Sequence, residues 1–177
     1  MNILPFVQKM KHSPVRNYGG IPGLTSWLLG AAGPYGLVRL MECSRDHQEP
    51  IVPHSHRFDF HCVVLDGQVR NLIWERDCLG DEFQETELHY SGEPGEYLQE
   101  AGDTAKWSRR VSSYTAGDEY FMTANQVHSI FFSRETSVLF FEAPATSDVS
   151  IILQPVVDGV VVPTFKVEDW MFQKGGA

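Results

Sequence analysis

Pro53-His54-Ser55-His56-Arg57-Phe58-Asp59-Phe60-His61-Cys62-Val63-Val64-Leu65-Asp66-Gly67 decides how this chain is read. Three of the seven histidines fall within eight residues of it, ahead of an apolar run that closes on Asp-Gly. In extended backbone, alternate side chains share a face, so His54 and His56 point the same way and can grip one ion. His61 lies an odd number of positions further on and faces away unless a bulge intervenes. Asp59, the nearest carboxylate that could compete as a ligand, falls by register on the opposite face. Two ligands do not complete a site. The distant candidate for a third is His128, in Thr123-Ala124-Asn125-Gln126-Val127-His128-Ser129-Ile130-Phe131-Phe132, another turn feeding a β-rich run.

Outward from this stretch the chain reads as short strands and turns. Tyr35 to Cys43 is an expected strand with Leu37, Arg39, Met41 and Cys43 on one face. Arg39 in that row is either a stem covering the sheet with its head in water or a cation lining a cavity. Asp66-Gly67 is a hairpin signal with Val69–Trp74 as the return strand. Short strands such as Thr86–Tyr90 follow, then a longer exposed strand or strand pair over Thr104–Tyr114. Glu119–Thr123, Val127–Ser133 and Ser137–Ala143 are expected as a meander, and Ile151–Leu153 and Val160–Val167 add β-branched material. The last dozen residues are the one stretch after residue 34 with helical character. Little helical period and frequent turn punctuation give an all-β sandwich or barrel. Residues 1–34, broken by Gly and Pro, read as an irregular arm that packs on the domain or a twin subunit, with a short helix near Leu24–Leu29. Residues 35–177 form the single domain.

Composition sets the limits. The chain has 177 residues, 42% hydrophobic and 12% aromatic, which suits one packed domain. No apolar run approaches the roughly 20 residues of a spanning helix. Cys43, Cys62 and Cys78 are an odd set without CxxC spacing, which points to reduced thiols and a cytoplasmic setting. The net charge of −9 arises between Glu75 and Asp103, where ten acidic residues face Arg76 alone. That balance argues against a nucleic-acid surface.

The two histidine segments, on separate turns about 70 residues apart and each followed by an apolar strand, resemble the two motifs of the cupin superfamily. His54-Ser55-His56 and Gly67 fit the first motif, with His61 where a glutamate is usual. Gly117, the Ala124-Asn125 turn and His128 fit the second. The resemblance covers roughly residues 35–145. It implies a double-stranded β-helix, or jelly-roll, barrel with metal ligands at its mouth. The histidine in place of glutamate looks like the thiol dioxygenases of the cysteine dioxygenase type. There iron is held by three histidines, which correspond to His54, His56 and His128. His61 matches a histidine beside the ligand pair, and Cys62 matches a cysteine that crosslinks to a tyrosine in some members. Phe140 or Phe141 stands where that tyrosine is expected. Arg39 and Arg70 are the candidates for holding an anionic group of the substrate.

Chemistry reaches the same point independently. Neutral imidazoles suit iron, zinc, copper and nickel, and three protein ligands leave positions open. The expected cofactor is a divalent metal, Fe(II) ahead of Zn, Ni, Mn or Cu. The expected function is a metal-dependent cupin oxygenase acting on a small polar molecule, such as a thiol. The alternative is a non-catalytic metal-binding cupin that binds or senses a small ligand. His61 is assigned to orienting the site, Tyr114 and Trp74 to the barrel wall or a pocket lining, and Glu142, set among phenylalanines, to a satisfied edge position ahead of a base. Nucleic acid and membrane are not expected partners; a homodimer is.

Overall fold

The computed structural model describes residues 3–18, 21–31, 33, 36–47, 52–91 and 97–162. Its strands are β1 (His12–Arg16), β2 (Leu24–Ala31), β3 (Leu37–Cys43), β4 (Phe60–Asp66), β5 (Gln68–Tyr90), β6 (Tyr97–Thr115), β7 (Glu119–Met122), β8 (Val127–Phe132), β9 (Ser137–Glu142), β10 (Val149–Val157) and β11 (Val160–Val161). The one α-helix among the described residues, α1 (Leu4–Val7), is a single turn. No helix there is long and apolar enough to cross a membrane. The protein is all-β.

The strands form two antiparallel sheets. One runs β1-β2-β3-β9-β4-β7; the other runs β11-β10-β5-β6, with β8 also paired to β5. The main core lies between them. Leu24, Met41, Phe60, Cys62, Val64, Tyr120, Met122, Val138 and Phe140 from the first sheet meet Val69, Ile73, Ile130 and Phe132 from the second. Period-two alternation puts them there: in β4, Phe60, Cys62 and Val64 are buried while His61, Val63 and Leu65 face outward, half-covered.

Several expectations about connectivity are corrected. Asp66-Gly67 does not make a hairpin, because β4 and β5 belong to different sheets. It is a corner. Gly67 has φ +74°, and a Cβ there would stand 2.5 Å from Thr136 Oγ1. The Gln68 N–H donates to Ser133 Oγ and Thr136 Oγ1, both at 3.1 Å, so side chains of the β8–β9 turn hold the chain as it changes sheet. The supposed meander is likewise no meander. β7 pairs with β4, β8 with β5, and β9 with β3 and β4, so consecutive strands alternate between sheets. Local pattern shows strands; the core's need for two facing layers decides the pairing.

The helix expected near Leu24–Leu29 is a strand. Leu24 and Leu29 are buried on opposite sides of β2, which pairs with β3. Within the expected irregular arm, β1 and β2 extend the first sheet, and Val7 of α1 packs against Leu29, Leu40 and Leu139 on that sheet's outer face. The acidic stretch builds most of the long β5 and part of β6 in place of several short strands, with a register break between Arg76 and Asp81. The helical tail expected in the last dozen residues lies outside the described residues.

Candidate metal centre

The segment from Val52 to Asp59 has no long strand of its own, yet its backbone is fastened on both sides. His54 N–H donates to the His128 carbonyl and His128 N–H to the His54 carbonyl, each at 2.9 Å. Ser55 N–H reaches the Ile151 carbonyl, and Leu153 N–H the Pro53 carbonyl, also at 2.9 Å. His54 thus bridges β8 and β10, directly opposite His128 and Ile152. Directly opposed residues of an antiparallel pair share a face, so His54 and His128 project together into the space between the sheets. His56, two positions on, projects the same way.

The three rings meet. Their centroids stand 4.7 Å apart for His54 and His56, 5.0 Å for His54 and His128, and 5.1 Å for His56 and His128. One ligating nitrogen from each lies within 4.8 Å of the others. His56 Nε2 and His128 Nε2 are 2.9 Å apart. Two imidazole nitrogens bound to one ion at about 2.1 Å and about a right angle stand about 3 Å apart, so the spacing suits a shared cation.

Tautomers suit it too. Asn71 Oδ1 only accepts, so His128 Nδ1–H donates to it at 2.8 Å and the lone pair sits on Nε2. His54 Nδ1–H donates to the Val52 carbonyl at 2.8 Å with the same result. Burial pushes the His54 pKa down to about 4. Burial, then the neighbouring rings, hold His56 and His128 well below the ordinary imidazole value. All three are therefore neutral at pH 7, the state in which imidazole binds a metal.

Phenylalanines wall the cluster. Phe60 stands 4.9 Å from His56 and 5.5 Å from His128, and Phe58 stands 5.3 Å from His56. Phe140 packs on Phe60 at 4.8 Å. Asp59 is no ligand: its Oδ1 accepts the Ala124 N–H at 2.7 Å, and His56 N–H donates to the Ala124 carbonyl at 2.9 Å. The two bonds lock the histidine segment onto the 123–126 turn.

The remaining expected site residues are elsewhere. His61 neither joins nor orients the cluster. It is on the outer face of β4, 3.2 Å from Glu119 Oε2 and stacked on Phe141. It alternates with the inward-facing Phe60 and Cys62 of β4, and that alternation carries it away. Arg70 is exposed, over the Phe131 ring, between the inward-facing Val69 and Asn71. Arg39 does lie on the inner row, but its counter-charge is already present as Glu142 at 3.6 Å. Tyr114 stacks on Tyr120, which packs on Phe60, so two rings separate it from the histidines. Cys62 lies between Tyr120 on β7 and Phe140 on β9, and burial pushes its thiol up to about 12. Asn71, fully buried on β5, was not singled out from sequence. Its signal was a polar residue in the inward register between Val69 and Ile73.

No protein-family model matches the chain, and no curated protein matches it. Among solved structures it is similar to the acetylacetone dioxygenase of Acinetobacter johnsonii, at 13% identity and TM-score 0.41, over 89% of this chain and 81% of that one. KdgF of Halomonas sp. aligns at 14% identity and TM-score 0.41, over 83% and 89%. Streptomyces albus HEPD, solved with 2-hydroxyethylphosphonate and Fe(II), aligns at 15% identity and TM-score 0.41 over 71% of this chain. This chain spans only 22% of that protein's length. At such distances these likenesses transfer neither site nor reaction.

Proposed function

We propose that the protein is a metal-dependent cupin oxygenase acting on a small polar molecule, with His54, His56 and His128 holding Fe(II). The observation that carries the reading is the convergence of three neutral imidazoles, two buried and one half-buried, from two remote segments. Three protein ligands leave coordination positions for substrate and a second reactant. Iron bound there would supply electron transfer between a bound substrate and dioxygen. The chain's own residues do the rest. Asn71 and the Val52 carbonyl fix the ring tautomers. The phenylalanine wall lowers the local dielectric.

That wall lies directly against the cluster, with Phe58 and Phe60 on His56 and Phe60 on His128. The same observation keeps a second reading, a non-catalytic metal-binding cupin that senses a small ligand. Anaerobic loading with Fe(II), followed by oxygen uptake against a panel of small thiols, diketones and hydroxylated compounds, separates the two. Metal-dependent uptake with one class supports the oxygenase; tight ligand binding without uptake selects the sensor.

A homodimer belongs to the same proposal. β6 is an exposed edge strand among the described residues, with Glu100 and Asp103 in its first half and Lys106, Arg109 and Arg110 in its second. Antiparallel pairing with a second copy would set opposite charges together. Light scattering at micromolar concentration reads the mass; a monomer there removes this part.

A further inference from the structure

His128 is backed by a chain of two further side chains. Its Nδ1–H donates to Asn71 Oδ1 at 2.8 Å, and Asn71 Nδ2–H donates in turn to Met122 Sδ at 3.5 Å. All three residues are buried. The second bond crosses the core. Asn71 is on β5 of the second sheet, and Met122 is on β7, the edge strand of the first. Met122 is directly opposite Phe60 in the β4–β7 ladder, so its sulfur belongs to the strand pair that also sets a ring against His56 and His128.

The direction of the chain matters. A primary amide has one accepting end and one donating end, and the two have nearly the same shape. With Oδ1 towards His128, the ring proton stays on Nδ1 and Nε2 offers a lone pair. With the NH2 towards His128, Nδ1 must accept, the proton of the neutral ring moves to Nε2, and the nitrogen that faces His56 no longer ligates. The amide thus sets whether His128 is a ligand, and its other neighbour sets the amide. A thioether sulfur accepts and never donates. Beside Nδ2 it favours the first orientation; in the second it would face another acceptor. Packing alone does not call for sulfur at this position, since leucine conserves the volume of methionine.

We propose that Met122 is a positioning residue of the metal centre: its sulfur orients the Asn71 amide across the core, and so holds His128 in the Nδ1–H tautomer that frees Nε2 for a divalent cation. This rests on the three-histidine metal reading.

The test reads tautomer and affinity separately in the full chain. Long-range proton–nitrogen correlation spectra of the metal-free protein at neutral pH show which ring nitrogen carries the proton, with the His128 signals identified by their loss in His128→Ala. Competition with a chromogenic chelator gives the Zn(II) affinity. In the parent, His128 should be in the Nδ1–H form. Met122→Leu should bring up the Nε2–H form and weaken Zn(II) binding about fivefold, the contribution of one hydrogen bond. Met41→Leu, the same change at another buried methionine of this core, should alter neither readout. In Asn71→Leu, which has no amide to orient, adding Met122→Leu should shift the affinity by less than about twofold, because the two residues act as one unit. Four results overturn the inference: no Nε2–H form in Met122→Leu, an affinity there equal to the parent's, the same losses in Met41→Leu, or additive losses in the double variant. A parent that takes up no Zn(II) overturns the metal reading instead, and the tautomer comparison then decides by itself whether Met122 orients the amide.

Discussion

The space between the sheets and the outer face of the first sheet treat histidine in opposite ways. Between the sheets, His54 and His128 are buried and His56 is half-buried, all three stripped of charge by desolvation and set against one another and phenylalanine. On the outer face, His61 is one-third exposed beside the Glu119 carboxylate. Only four residues lie between His56 and His61. Burial holds an imidazole neutral and leaves a lone pair for a metal; exposure beside a carboxylate makes a surface contact worth little. What distinguishes a ligand here is the layer it faces, not its membership of a cluster in the sequence.

The sharpest way to break that contrast is to remove a buried ring. His54→Ala, His56→Ala and His128→Ala should each cut divalent-metal uptake from about one ion per chain to a small fraction of that, read by elemental analysis after dialysis. Next comes the tautomer. Asn71→Leu removes the acceptor for His128 Nδ1–H and should weaken metal affinity roughly 10- to 100-fold, measured by competition with a chromogenic chelator.

The metal-free protein should show the buried face in its pH response. His54 is pushed down to about 4 in the fold, whereas the unfolded chain titrates near 6.5. Between those values the unfolded state binds more protons, so stability is full above about pH 6.5 and falls as the pH drops towards 4. From pH 7.5 to pH 5 His54 alone should cost about 2 kcal/mol, with His56 and His128 adding in the same direction, read by urea unfolding. At the small end, His61→Ala should leave metal uptake unchanged and stability within about 0.5 kcal/mol of the parent. Loss of metal in that variant would erase the distinction between the faces.

Much of this was legible beforehand. Period-two patterning marked β3, β4, β8 and β9 as strands, and the spacing of His54 and His56 placed both rings on one face. His128 could be named because it follows a turn of the same kind. The pairing of strands was not legible, since Asp66-Gly67 serves a corner as well as a hairpin; Thr136, nearly seventy residues on, settles which. β2 was hidden by Gly23 just before it, Gly30 within it and a Leu-Leu pair that suits either period. Arg39 was left between a stem with its head in water and a cavity cation, because its counter-charge, Glu142, is brought beside it only by the β3–β9 ladder. Asn71 was missed because one polar residue in a strand is ordinary until its side chain is seen to end on a histidine.

The most direct measurement is X-ray absorption on the iron-loaded full chain, beside the His54→Ala/His56→Ala/His128→Ala variant. Three imidazole nitrogens at about 2.1 Å in the parent, with no specifically bound metal in the variant, is the predicted outcome. Metal held equally well by both proteins, or by neither, would contradict a shared cation between these rings.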